Sequence, residues 1–301
     1  MQGAPAADRP SVDVVIPFAG SLGELESLLA RASALRSAPG DSITVVDNRA
    51  AGAPAPSAVP PGVRLLAAPE RPSSYHARNR GAAAGTCEWI VFLDADVEPG
   101  SELLDRYFTS SPAERTAVLA GGVVDEPLGD DGRPTLAARY AFLRGRMGQE
   151  NTLGNGAWGY AQTANCAVRR AAFDAVGGFT DDIRSGGDAD LCFRLRAAGW
   201  EIEERGDAAV VHRSRHALRA MLRQRARHGS GVAWLERHYP GSFPHPGWLF
   251  LAKSSVVSFG LAVRAAVRGH SDEALMRLID PIDEWAFELG RKFPNDVRAR
   301  R

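Results

Sequence analysis

Cysteine is scarce in this chain. Cys87, Cys166 and Cys192 are scattered through 301 residues with no metal-ligand spacing, which argues against a disulfide framework and fits a reducing compartment. Net charge is missing as well: 36 Lys and Arg balance 36 Asp and Glu, so no overall field points to a nucleic-acid partner. The opening MQGAPAADRP lacks the charged and then apolar regions of a secretory signal. No run reaches the roughly 18 uninterrupted apolar residues expected of a membrane span. The nearest, WLFLAKSSVVSFGLAVRAAV at 248–267, is broken by Lys253 and Arg264. No internal repeat is visible. These absences point to a cytoplasmic protein, with residues 247–269 as the stretch through which it could touch a membrane peripherally. The length suffices for one large domain, or one domain with an appendage.

Charge is uneven locally. Between Arg205 and His228 many arginines face the single carboxylate Asp207. That reads either as an anion-facing or membrane-facing patch or as a solvated helix face.

The first half alternates strand and helix signals. VDVVIPF (12–18), SITVVDN (42–48), VRLLA and WIVFLDAD are apolar, β-branched strand candidates. Between the first two, Ser21 and Glu24 have capping-box spacing, and Leu22, Leu25, Leu28 and Leu29 recur with helical period. SSYHARNRGAAAG is a second helix, closed by Gly85. Such alternation indicates a parallel sheet, in which ligands bind beyond the carboxyl ends of the strands. Pro17, Asp47, Asp94 and Asp96 all fall at such ends. Further on, AQTANCAV and DAAVVH read as strands, DADLCFRLRAAGW as a helix, and the chain from about 215 as helical.

Asp94 and Asp96, two apart, leave one face of an extended chain. Paired hard oxygens suit Mg²⁺ or Mn²⁺, whose shells water and phosphate oxygens usually complete. A lone D-x-D is weak, but this one ends a buried strand beside the expected crevice. The motifs VVIPFAG, ITVVDN, ARNRGAAAGTCEWIVFLDADVEP, TANCAVRRAAFDAVGGF, GGDADLCFRLRAAGWEI and AVVHR, in this order, resemble those of the family-2 glycosyltransferases. The resemblance runs from about Val12 to Gly231.

It implies an α/β GT-A fold: a Rossmann-like nucleotide-sugar-binding mixed sheet flanked by helices. The catalytic domain would span 1–232, with a nucleotide-sugar half at 12–125, an acceptor-side half at 126–232 and a helical C-terminal extension at 233–301. It also implies an inverting transferase that moves a sugar from a nucleotide-diphosphate donor, first of all a UDP-sugar, to an acceptor hydroxyl. The acceptor is a glycan, a lipid-linked molecule or a small molecule. By resemblance Pro17 and Asp47 line the nucleobase and ribose pocket, Arg78 approaches the nucleotide, and Asp94 contacts ribose or sugar hydroxyls. Asp96 and His212 would hold the Mn²⁺ or Mg²⁺ ion, Asn165 would lie near the transferred sugar, and Asp188 would be the general base.

Blander roles stand beside these. Asp47 could cap a turn, Asp188 could be an N-cap, His212 could be an ordinary strand-end histidine, and Trp158 could pack rather than stack on a sugar. Asp190 reads as an arginine's partner, and as the substitute base should Asp188 fail. The family commonly has Glu-Asp where this chain has Gly187-Asp188, which leaves a catalytically silent sugar-nucleotide-binding module as one alternative. A sugar nucleotidyltransferase is another, but it needs a basic triphosphate loop where PFAGSLGELE is acidic. Residues 248–267 are expected to pack on the catalytic domain in preference to lying on a membrane.

Overall fold

The computed structural model describes residues 9–128, 133–213 and 217–298. Every side chain of β1 (Val12–Phe18) is buried, so the strand must lie inside a sheet covered on both faces. It pairs in parallel with β2 (Ser42–Asp47) on one flank and β4 (Trp89–Leu93) on the other, and β3 (Val63–Ala67) extends the sheet beyond β2. α1 (Leu22–Ser33) begins at the expected capping box: Glu24 accepts from the Ser21 N–H at 2.6 Å while Ser21 accepts from the Glu24 N–H. It buries Leu25, Leu28 and Leu29 against the face carrying Val12, Val14 and Ile16. α2 (Ser74–Ala83) packs on the other face, beside Val15, Ile90 and Phe92.

The parallel order ends at β4. Beyond it β7 (Asn165–Arg169) runs antiparallel between β4 and β6 (Thr116–Glu126), β8 (Glu201–Arg213) lies parallel to β6, and β5 (Val97–Pro99) pairs antiparallel with β8. The eight-stranded order among the described residues is β3-β2-β1-β4-β7-β6-β8-β5. Short helices fill the connections: α3 (Leu103–Arg106), α4 (Leu136–Arg144), α5 (Glu150–Leu153), α6 (Arg170–Ala175) and α7 (Gly187–Ala197).

If the sheet were flat, β4 and β5 would lie four strand spacings apart, about 19 Å. Only Asp94, Ala95 and Asp96 join them, and such a link reaches at most roughly 14 Å. The sheet must therefore curl, and the β6–β8 pair shows where. Its register jumps from Gly121↔Arg205 to Val123↔Val210. A Cβ on Gly121 would come within 2.4 Å of Asn165 Nδ2 and 2.5 Å of the Tyr107 hydroxyl, so this bend needs glycine. The jump skips Gly122 and Ala208, and Asn165 Nδ2 donates to both of their carbonyls, at 2.9 and 2.7 Å. Asn165 thus satisfies backbone groups that the irregularity takes out of the ladder.

Three long helices follow: α8 (Leu218–His238), α9 (Trp248–Val267) and α10 (Ser271–Gly290). The boundary expected at 232 falls inside α8, which continues unbroken across it. α8 and α10 touch backbone to backbone, since a Cβ on Gly229 would lie 1.9 Å from Phe287 O and one on Gly290 2.1 Å from Ala226 O. Pro281 sits within α10 and cannot donate to the Arg277 carbonyl, so Ser258 Oγ of α9 does so instead at 2.9 Å.

The expectation that 248–267 packs on the catalytic domain is corrected. α9 packs chiefly on α10 and buries only Leu251, Ser255, Ala262 and Ala265, while Leu249, Val256, Val263 and Val267 remain exposed. The reason is supply of surface: α10 is itself held by α8 and α4, so it offers α9 one narrow seam.

Candidate active site

β4 delivers its two carboxylates as expected, and the curl decides what they meet. Arg78 of α2 is 4% exposed and donates through Nη2 to Asp94 Oδ1. Its guanidinium lies 5.6 Å from the Tyr75 ring and 5.8 Å from that of Phe179, while its buried Nε has no hydrogen-bond partner. Burial pushes the Asp94 carboxyl up and Arg78 pulls it down. Asp96 and Asp188 push it further, so it ends above the usual carboxylate range. Burial acts against the Arg78 charge, but Asp94 and then Asp188 outweigh it and hold that guanidinium above its ordinary value. Arg78 thus pairs with Asp94 and also feels the charge of Asp188, which is distant in sequence.

His212 is placed twice over. Pairing of β5 with β8 sets it opposite Val97, and pairing of β6 with β8 sets it opposite Asp125. Its Nε2 lies 3.6 Å from Asp96 Oδ2 and its Nδ1 2.9 Å from Asp125 Oδ1. Burial disfavours the imidazolium, yet Asp125 and Asp96 raise its pKa to about 10. A carboxylate behind one ring nitrogen, with the other turned to a second carboxylate, is how metal-binding histidines are commonly oriented. Among the described residues no three His, Cys, Asp or Glu side chains form a ready metal cluster. The donor set still fits a small divalent cation, which keeps most of its shell for phosphate oxygens and water. Asp125 was missed in the sequence. Its one signal was a carboxylate near the end of the apolar strand TAVLAGGVVDE.

Asp188 lies in the first turn of α7, and Gly186, at φ 92°, occupies the N-cap. The N-cap alternative for Asp188 therefore falls. The Thr163 hydroxyl donates to Asp188 Oδ1 at 2.8 Å and its N–H to Oδ2 at 3.4 Å. Gly187 has a packing cause: a Cβ there would sit 2.7 Å from the Tyr75 ring. Asp190 is buried and accepts from Thr180, Arg194 and Tyr239, the last at 2.6 Å. It is the structural partner anticipated, with no access as a substitute base. Trp158 packs edge-on against Phe193 at 5.0 Å.

Pro17 and Asp47 come together at the ends of β1 and β2, where Phe18 pairs with Asp47. Both Asp47 oxygens are held by Arg49, at 2.9 and 2.7 Å. Burial raises the Asp47 carboxyl, but the Arg49 hydrogen bonds prevail and keep it below the usual range. Asn165 is a correction. It is 0% exposed, and its Oδ1 accepts from the Tyr107 hydroxyl at 2.6 Å while Nδ2 serves the two carbonyls at the bend. It pins the sheet and does not face the crevice.

A cavity of about 480 Å³ opens at these strand ends, lined by Tyr75, Asp125, Tyr160, Asp188 and His212 among others. A curled mixed sheet with flanking helices and carboxylates gathered at its strand ends is the architecture of a GT-A glycosyltransferase. The chain belongs to glycosyl transferase family group 2, whose family model matches residues 89–274, more than half of it. It is 29% identical over 233 residues to a pre-mycofactocin glycosyltransferase of Mycobacterium tuberculosis, an alignment covering 76% of this chain and 48% of that protein. It is 30% identical over 171 residues to glycosyltransferase AglE of Haloferax volcanii, covering 56% of this chain and 53% of the relative. The chain thus spans about half the length of the curated relatives it matches. Among solved structures, the mannosyltransferase PcManGT of Pyrobaculum calidifontis, in complex with GDP-Man and Mn²⁺, superposes with a TM-score of 0.62. That match covers 95% of this chain and 89% of the other at 18% identity, and it shows a shared fold. A mycobacterial protein superposes at 0.52, covering 79% and 77% of the two chains at 19% identity.

Proposed function

We propose that this glycosyltransferase moves a sugar from a nucleotide-diphosphate donor to an acceptor hydroxyl by a single inverting displacement assisted by Mn²⁺ or Mg²⁺. The observation that carries the reading is the convergence of Arg78, Asp94, Asp96, Asp188 and His212 from four separate elements at one end of the sheet. Asp96 and His212 would hold a divalent cation, which would supply positive charge to a departing diphosphate. Asp125 holds the imidazole in place. Asp94, fixed by Arg78, contacts donor hydroxyls, while Pro17 and Asp47 line the nucleoside pocket once Arg49 releases Asp47. Asp188, held by Thr163, takes the proton of the attacking hydroxyl. The silent-module alternative rested on Gly187, whose packing against Tyr75 explains it without loss of the base. UDP-glucose is the first donor to test, with GDP-mannose, which PcManGT holds, and a dTDP-sugar beside it. A true donor raises the Tm, more so with Mn²⁺ present, and is slowly hydrolysed. Stabilisation by none of them, or full turnover in excess EDTA, refutes the assignment.

We also propose that the exposed face of α9 rests on a membrane surface. Its charged side chains, Lys253 and Arg264, are both cationic, which suits anionic headgroups beside a shallowly inserted apolar stripe.

A further inference from the structure

The arginine-rich stretch before His228 has no part in donor binding as described, yet α8 brings Arg225 to the cavity that contains Asp188, and Arg146 lines it too. Both guanidinium groups grip one carboxylate oxygen: Arg225 Nε lies 2.8 Å and Arg146 Nη2 2.6 Å from Asp283 Oδ2. Asp283, on α10, is 1% exposed. Inside this buried knot two guanidinium groups face one carboxylate. Glu284, the next residue of α10, is exposed and attracts Arg225, Arg144 and Arg146 without a close ion pair among the described residues. Arg144, at the same cavity, is by contrast matched by Asp280. The carboxylates that line the cavity are engaged elsewhere, Asp125 with His212 and Asp188 with Thr163.

The two forks are held rigidly. The Arg225 guanidinium lies 4.4 Å from the Phe287 ring, and that of Arg146 lies 5.0 Å from the Tyr140 ring, with Arg146 Nη2 donating to the Tyr140 hydroxyl at 2.8 Å. Among the described residues Arg225 donates only through Nε, and the buried Nε of Arg146 has no partner. Burial drives the Arg225 charge down, Asp283 opposes it, and repulsion from Arg146 adds to it, so the group sits below its ordinary range. Such a guanidinium gains from an anion. Tyr160 lines the same cavity as Asp188, Arg146 and Arg225, so the two arginines and the carboxylate assigned as base face one space.

We propose that Arg146 and Arg225, locked on Asp283, form an anion subsite on the acceptor side of the cleft, so that the acceptor hydroxyl belongs to a molecule carrying a phosphate or carboxylate group. The placement on the acceptor side rests on the reading of Asp188 as base. Planar forks favour bidentate binding of either anion.

Inorganic phosphate is the probe, with acetate beside it, titrated into the full chain by calorimetry and by Tm. Saturable phosphate binding is expected, weakened roughly tenfold or more by Arg225→Gln or Arg146→Gln, as the loss of a charge-assisted pair implies. Asp283→Asn keeps both arginines and removes their shared counter-charge, so it should tighten phosphate binding. A purely structural ion-pair cluster predicts the opposite pattern, in which all three variants lose stability and none changes phosphate affinity. The titration repeated with saturating UDP or GDP and Mg²⁺ separates the sources. Phosphate bound alongside the nucleotide supports the acceptor subsite, and competitive displacement assigns the arginines to the donor diphosphate and overturns it. Absence of saturable binding overturns it as well. None of these readouts needs sugar transfer, so they stand or fall apart from the donor panel.

Discussion

Two aspartates two positions apart on α7 have opposite fates, and the difference lies in their neighbours. Asp188 meets the hydroxyl and N–H of Thr163 and the cavity, whereas Asp190 is enclosed by Thr180, Arg194 and Tyr239. Asp188→Asn should therefore cut turnover by roughly 10² or more and leave donor affinity nearly unchanged. Asp190→Asn should instead lower stability by about 1–3 kcal/mol as its donors lose a charged acceptor. Comparing kcat, donor Kd and Tm for the two variants checks the division, and near-normal turnover in Asp188→Asn would sink it. His212 carries a pH signature. Its raised pKa means that the ion pairs it makes stabilise the metal-free protein fully below the ordinary histidine value of about 6.5. That contribution is lost as pH rises through about 10. Metal binding needs the neutral imidazole, so Mn²⁺ should displace a proton and its affinity should rise with pH between about 6.5 and 8.5. Calorimetry in two buffers of different ionisation enthalpy reads the proton directly. An affinity independent of pH contradicts the assignment of His212.

Elements are joined here at points where a side chain does not fit or a carbonyl lacks its ladder partner. Asn165→Ala would leave the Gly122 and Ala208 carbonyls unsatisfied at the bend between β6 and β8, each at about 1–3 kcal/mol if no water replaces the amide. Because that bend carries His212 towards Asp96, Mn²⁺ affinity should fall with stability even though Asn165 touches no ligand. Denaturant unfolding and a metal titration on one preparation test this, and unchanged metal binding in a destabilised variant refutes the link. Gly229→Ala meets backbone and cannot be relieved by a rotamer change, so it should cost at least the 1–3 kcal/mol of ordinary overpacking. Gly23→Ala on α1, where an added Cβ meets nothing within 4 Å, is the matched control and should be neutral or stabilising.

Over the whole molecule the charge sums to zero, so attraction to an anionic surface has to be local. In the membrane contact proposed above α9 would supply it, with Leu249, Val256, Val263 and Val267 exposed along one stripe and Lys253 and Arg264 on the same helix. The full chain should float with liposomes containing anionic lipid, less so in high salt, and Val256→Asp with Val263→Asp should abolish flotation while leaving the Tm nearly unchanged. No flotation of the unaltered chain removes the membrane contact.

Apolar period and capping residues sufficed to place β1, α1, β2, α2 and β4 along the chain, because these elements are specified by neighbours a few residues apart. That Asp94, Asp96, Asp188 and His212 fall at the ends of elements was legible too, since each sits in a local motif; the roles proposed for them rest on the family resemblance. Three matters lay beyond local information. The reversal of β7, and the curl that brings β5 back to β8, depend on pairings across tens of residues and on the volume that Asn165 and Tyr107 occupy beside Gly121. The role of Asn165 was misread for that reason: its motif lies beside the crevice strand, but its side chain points to a backbone bend invisible in one dimension. The meeting of Arg146, Arg225 and Asp283 required α8 and α10 to approach at Gly229 and Gly290, and a sequence records such glycines without their partners. Burial decided the rest, separating Asp188 from Asp190 and leaving α9 half uncovered, because the surface a helix can bury is set by what its neighbours have already claimed.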